Sequence, residues 1–138
     1  LEAGAVTSVL SEVKQDFSRY RGEIWEELVR DAVAHINIEG KDWLPGQCWW
    51  GAGSDKTPFE IDVLAESADC NSLLVCEVKS TITSKGLKRI EGELRHKAQL
   101  LPIAKSYPRV IKKIVVASAG NTRAKSLISG GVIFNALK

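Results

Sequence analysis

Asp62, Glu77 and Lys79 are charged side chains set inside the two most strand-like stretches of the chain, FEIDVLAE (59–66) and SLLVCEVKST (72–81). Side chains alternate faces along a strand, so Glu77 and Lys79 point one way while Cys76, Val78 and Ser80 point the other. Asp62 lies on the preceding stretch, with Glu60 on its face. If the two stretches pair as a hairpin across the polar turn 67–71, Asp62 and Glu77 come close together. Neighbouring carboxylates resist joint ionisation. A hard divalent cation relieves that conflict, and Mg²⁺ takes one or two carboxylates plus waters. Such a cation polarises a phosphoryl oxygen and activates water. Lys79 would neutralise developing charge or orient the attacking water. The set therefore suits phosphodiester hydrolysis. The bland alternative is a buried ion pair or a strand with one solvated face. An E-x-K tripeptide is common by chance and gains weight from the I-D strand at hairpin distance.

The elements that must position these residues follow from periodicity. Val6, Val9, Leu10, Val13 and Phe17, then Ile24, Trp25, Leu28, Val29, Ala32, Val33 and Ile36, keep the three-to-four spacing of one buried helical stripe from about Val6 to Ile38. Arg21-Gly22 is a possible interruption, and Asn37 and Gly40 are stop signals. A short strand is expected at Gln47–Trp50, a breaker-rich loop at 51–58, and strands at 59–66 and 72–81. Leu87, Ile90, Leu94, Ala98, Leu101 and Ala104 mark a second helix from Ser84 to about Ser106, kinked or ended by Pro102. An apolar strand at 110–119, a turn at Gly120-Asn121, a short helix at 122–128 and a last strand at 132–136 complete the order. The last two strands are expected to be parallel, joined by a right-handed crossover. The class is α/β, a mixed central sheet flanked by helices.

The 138 residues fit one domain, residues 1–138, around a single core. The 44% hydrophobic and 26% charged fractions are ordinary for a globular chain. No apolar run approaches the ~20 residues of a membrane span, so no membrane partner is expected. There is no signal-peptide pattern. The chain contains no Met, which reads as a start inside a longer protein. Cys48, Cys70 and Cys76 show no CxxC spacing and read as free thiols of a reducing cytoplasm. His35 and His96 read as ordinary helix residues. The net charge of +2 hides an asymmetry: residues 1–77 carry net −9 and residues 78–113 net +8. On charge alone a solvated basic helix is the simpler reading.

I-D-V-L-A followed by L-L-V-C-E-V-K resembles the core motif of the PD-(D/E)xK, or restriction-endonuclease-like, nuclease superfamily. The resemblance covers most of the chain and implies an αβββαβ core, the order read above. It carries an acidic residue of the first helix onto Glu26, less favourably Glu23 or Glu27, the strand Asp onto Asp62, and the (D/E)-x-K onto Glu77 and Lys79. Ile61 stands where the family name has Pro. It implies Mg²⁺ or Mn²⁺ held by Asp62, Glu77 and the Val78 backbone carbonyl, with Glu26 supporting the shell. R-G-E-I-W-E-E-L-V, W-W-G, E-I-D-V and E-V-K are similar to the domain that follows the ATPase module in archaeal-type AAA ATPases of prokaryotes. Gly22, Trp25 and Glu26 match that domain's G-x-x-[aromatic]-E pattern, which favours Glu26 as the helix acid and implies an ATPase domain upstream in the same polypeptide.

Lys85, Lys88, Arg89, Arg95 and Lys97 on the second helix are the expected contacts to DNA phosphates, which supply affinity without sequence information. Lys97 and Gln99 are also candidates for a further polar site residue on that helix. Trp49 and Trp50 are expected to pack, with at most one of them exposed, because neighbours on a strand face opposite ways. The expected function is a metal-dependent DNA nuclease domain, with a homodimer as a way to cut both strands. The alternative is an inactive nuclease-fold module that binds nucleic acid or docks and regulates the ATPase. No Gly-x-Ser-x-Gly or His-Glu-x-x-His is present to support another hydrolase class.

Overall fold

The computed structural model describes residues 21–138. Residues 21–33 are helical and form α1. β1 (Gln47–Ala52), β2 (Pro58–Glu66), β3 (Ser72–Thr81), α2 (Ser84–Leu100), a 3-10 turn (Pro102–Ser106), β4 (Arg109–Ser118), β5 (Leu127–Ser129) and α3 (Gly130–Ala136) follow. The strands lie in chain order in one five-stranded sheet. β1–β2 and β2–β3 are antiparallel, whereas β3–β4 and β4–β5 are parallel. The chain is thus α/β, with a mixed sheet flanked by helices. The helix expected before residue 21 lies outside the described residues.

Two apolar layers cover the sheet. Trp25, Val29 and Val33 of α1 and Ile133 of α3 pack with Val63, Leu74, Cys76 and Val115 on one face. Leu87, Ile90 and Leu94 of α2 pack with Ile61, Leu73, Val75 and Ile114 on the other. Because both faces of β3 are covered, Ser72–Val78 is buried without alternation, and exposure begins only at Lys79. The α2 stripe buries Leu87, Ile90, Leu94 and Ala98, as its spacing predicts. Thr83 caps the helix, its Oγ1 accepting the Gly86 N–H at 3.0 Å. The helix stops at Leu100 because proline disfavours helical backbone at the residue before it: Leu101 is extended, with φ −75° and ψ 112°.

The structure corrects several expectations. Arg21 and Gly22 are themselves helical, and whether the helix runs on to the residues before them lies outside the described residues. The helix ends at residue 33 rather than near Ile38. His35 and Ile36 donate to the carbonyls of Ala32 and Val33, the tightened i→i−3 bonds of a last turn. The loop expected at 51–58 is shorter, since β1 runs to Ala52 and β2 starts at Pro58. The C-terminal order is reversed: the helix expected at 122–128 is an irregular link ending in strand β5, and the strand expected at 132–136 is helix α3. A short apolar run does not reveal its period. Here Gly130 and Ile133 are buried while Val132 and Phe134 are exposed, which is helical spacing. Glycine is required where α3 starts, because a Cβ at Gly130 would stand 2.5 Å from the Ala117 carbonyl oxygen of β4. The crossover between the parallel β4 and β5 is therefore not helical.

Candidate active site

The site begins with an irregularity in β2. Gln47 pairs with Leu64 and Trp49 with Ile61, so two steps along β1 match three along β2. One extra residue lies between Ile61 and Leu64, which makes a β-bulge. Its effect is visible in the core: Ile61 packs on the α2 side and Val63 on the α1 side, although a regular strand would turn both the same way. Asp62 sits in the bulge; it and Glu60 stay on one face, both acting on Glu26, and the alternation breaks after Asp62, at Val63. The regular β2–β3 register ends at Val63↔Cys76. Beyond that pair the Asp62 carboxylate itself accepts the Val78 N–H, with Oδ2 at 2.9 Å.

Glu77 precedes that amide on β3 and is only 7% exposed. The Lys97 ammonium of α2 donates to its Oε1 at 2.7 Å and to the Glu60 backbone carbonyl at 3.0 Å. Burial pushes the Glu77 carboxyl up to about 7, against the downward pull of the Lys97 bond and with the Asp62 charge adding to the rise. The two carboxylates are therefore electrostatic neighbours, as the hairpin argument expected.

The third acid arrives through α1. The Trp25 indole is 7% exposed, and its Nε1–H donates to the Lys79 carbonyl at 3.1 Å, which clamps the helix to the end of β3. The next residue, Glu26, is half-buried, and its carboxyl is raised by burial first and then by Asp62. Glu23 and Glu27 are exposed. Arg30, one turn further on, donates from Nη1 to the Asp62 backbone carbonyl at 3.1 Å and lies 4.0 Å from Glu26 Oε2. Arg30 and the clamping role of Trp25 were missed in the sequence. The available signals were the i,i+4 spacing from Glu26 and the conjunction of an aromatic residue with an acid. A Cβ at Gly22 would meet no atom within 4 Å, so the described residues give no steric reason for that glycine.

The remaining candidates divide. Lys79 is exposed, next to the buried Glu77–Val78 pair. Lys85, Lys88, Arg89 and Arg95 are exposed along α2, with Arg89 bridged to Glu93 at 3.0 Å. Lys97 turns inward to the carboxylates, away from the role of a simple phosphate contact, and Gln99 is exposed. Trp50 is 77% exposed, whereas Trp49 packs on Phe59 with ring centroids 5.1 Å apart. Cys48 and Cys70 are exposed free thiols; Cys76 is buried, which raises its thiol strongly. Among the described residues no group of three or more His, Cys, Asp or Glu side chains is arranged to hold a metal ion. Asp62 and Glu77 nevertheless offer the hard oxygen donors that Mg²⁺ uses in ones and twos, completing its shell with water. The carboxyls of Glu77 and Glu26 are raised first by burial, with the Asp62 charge adding to both. On donor chemistry, the site fits a hard divalent cation.

The family model DUF234, archaeal and bacterial proteins of unknown function, matches residues 1–90. The chain belongs to the DUF234 family. The DUF234 match takes in α1, the β1–β3 unit, Glu26, Asp62, Glu77 and Lys79, and it stops before Lys97. Comparisons with curated proteins and with solved structures gave no match. Among the described residues no helix is long and apolar enough to cross a membrane.

Proposed function

We propose that this DUF234 chain is a PD-(D/E)xK-type, metal-dependent nuclease domain that hydrolyses DNA phosphodiester bonds and is attached to a AAA-type ATPase. The observation that carries the reading is that Asp62, at a β-bulge, stands beside Glu77 of β3 on one side and Glu26 of α1 on the other, with Lys79 on the adjoining exposed end of β3. A strand bulge and a buried carboxylate both cost stability, and such costs cluster at functional sites. Asp62, Glu77 and the Val78 carbonyl would hold Mg²⁺ or Mn²⁺. The metal would polarise the phosphoryl oxygen and acidify water. Arg30 and the Val78 N–H fix Asp62, Trp25 fixes the backbone of Lys79, and Glu26 supplies a further carboxylate at the rim. The Lys79 ammonium, free to reach outward, would orient the attacking water or meet the charge developing on the phosphate. Lys85, Lys88, Arg89 and Arg95 would hold the DNA backbone.

One observation favours a second reading, an inactive module that binds nucleic acid or docks the ATPase. The Glu77–Lys97 pair partly compensates the site without any metal. Cleavage separates the two. Linear, nicked, single-stranded and branched DNA are incubated with Mn²⁺ and the full-length protein, comparing wild type, Asp62→Ala and Lys79→Ala. The nuclease reading expects cutting that EDTA stops and that falls by at least ~100-fold in Lys79→Ala, the scale on which positioned proton-transfer and charge-stabilising groups act. No cutting by wild type, with DNA affinity lost only in Lys88→Ala/Arg89→Ala, would establish the binding module instead.

A further inference from the structure

Lys97 differs from the other basic residues of α2. Lys85, Lys88, Arg89 and Arg95 are exposed. Lys97 follows the buried Leu94 by three residues and flanks the buried stripe of α2, so its stem leaves the helix at the edge of the face that packs on the sheet. Its ammonium is 2.7 Å from Glu77 Oε1, the side chains being 29% and 9% exposed, and it also donates to the Glu60 carbonyl at 3.0 Å. An ammonium and a hard metal ion compete for the same carboxylate oxygen. Without any cation, Glu77 would be a buried charge beside Asp62, and breaking such a pair by removing one partner is strongly destabilising. A lysine suits an exchangeable role: its charge is compact and its four-carbon stem flexible, whereas arginine would lock a carboxylate in a two-pronged bond.

We propose that Lys97 is a built-in counter-ion for Glu77 that holds the metal's place in the metal-free protein and is displaced when the divalent cation binds. This rests on the metal-site reading above. Lys97 would then be a positioning residue that sets metal affinity, and the released ammonium would lie at the rim of the site, available to a phosphate.

The test is calorimetric titration of Mn²⁺ and Ca²⁺ into the full-length protein, with thermal melts in EDTA and in Ca²⁺. Wild type is compared with Lys97→Met, Lys97→Gln, Lys88→Met and Asp62→Ala. Loss of the competing ammonium should tighten Lys97→Met and Lys97→Gln by roughly ten-fold or more, which corresponds to about 1.4 kcal/mol. Lys88→Met removes the same charge from the exposed surface of α2 and should change affinity by less than about two-fold, because solvent and salt screen it. Both Lys97 variants should melt lower than wild type in EDTA and regain more than wild type on adding Ca²⁺. If wild type binds metal through Asp62 while the Lys97 variants bind no tighter, the counter-ion role is refuted and the metal site stands. If neither wild type nor the Lys97 variants bind metal, the metal-site reading falls and the counter-ion role with it. Should Lys97→Met not fold, Lys97→Gln, which keeps part of the stem and an uncharged donor, decides the outcome.

Discussion

Replacing Glu77 with glutamine should change how the stability of the metal-free protein depends on pH. Burial pushes the Glu77 carboxyl of the folded chain up to about 7 from an ordinary 4.5. A raised carboxyl means that the folded state binds the proton more tightly than the unfolded state. Its contribution is therefore fully present below 4.5 and is lost as pH rises to about 7. The rise from 4.5 to about 7 corresponds to a free energy on the order of 3 kcal/mol. Glu26 is shifted in the same direction and adds to the loss. Asp69 and Glu39 are shifted downward, Asp69 first by its bond from Lys41 and Glu39 first by its bond from Lys113. Their contributions vanish only as pH falls below their ordinary values of 3.8 and 4.5, so they do not obscure the window above. Urea unfolding in EDTA between about pH 5 and about pH 8 should show wild type losing on the order of 3 kcal/mol, with Glu77→Gln losing much less. The amide introduced by Glu77→Gln would still give Lys97 a carbonyl oxygen to bond. Stability of wild type that is flat or rising across that window, matched by the variant, would refute the claim that Glu77 is held in the site against its charge.

Two further outcomes test how the site is positioned. Trp25→Phe removes the donor to the Lys79 carbonyl and part of a buried ring, and should lower unfolding free energy by about 1–3 kcal/mol in chemical denaturation. Gly130→Ala forces a Cβ onto the Ala117 carbonyl and should destabilise by about 1–3 kcal/mol. Gly131→Ala, whose Cβ would meet only Ser129 Oγ at 3.8 Å, should be neutral or stabilising by up to about 1 kcal/mol; equal losses at the two glycines would show that close approach to β4 is not what selects Gly130.

The parts of the fold legible in the sequence were those in which one period dominates. The β3 run Ser72–Thr81 and the start of α2 at Ser84 match the sequence reading, because each lies against a continuous apolar layer, whereas α2 ends at Leu100 rather than about Ser106, where a 3-10 turn carries Ala104 of the same stripe. The C-terminal segment was misread because Val132, Ile133 and Phe134 have strand-like side chains, whereas their conformation is set by where β5 ends and by the contact of Gly130 with β4. That contact is tertiary and leaves no local pattern. In the site, the nearness of Asp62 and Glu77 followed from hairpin geometry. The bulge did not, since one extra residue in β2 is visible only against the register of β1. The inward turn of Lys97 was likewise hidden: on a helical wheel it is one of several basic residues, and only the packing of Ile90 and Leu94 on the sheet brings it within reach of Glu77.

The bulge and the inward lysine are linked by one electrostatic argument. A regular β2 would continue its pairing with β3 past Val63↔Cys76, and Val78 would meet backbone there instead of a carboxylate. The extra residue frees Asp62 to take that amide and sets its charge against Glu77, raising the cost of ionising a carboxyl that is already buried. Lys97 lowers that cost through its bond to Oε1, while burial keeps the Glu77 carboxyl above its ordinary value. Glu26, brought in by the Trp25 clamp, adds a further carboxylate whose own carboxyl is raised. A site built only for stability would replace these groups with apolar ones, as the layers on both sides of it do. A helix clamp, a bulge and a buried strand thus bring acidic side chains to one end of β3, and the divalent cation proposed above would supply the positive charge they face.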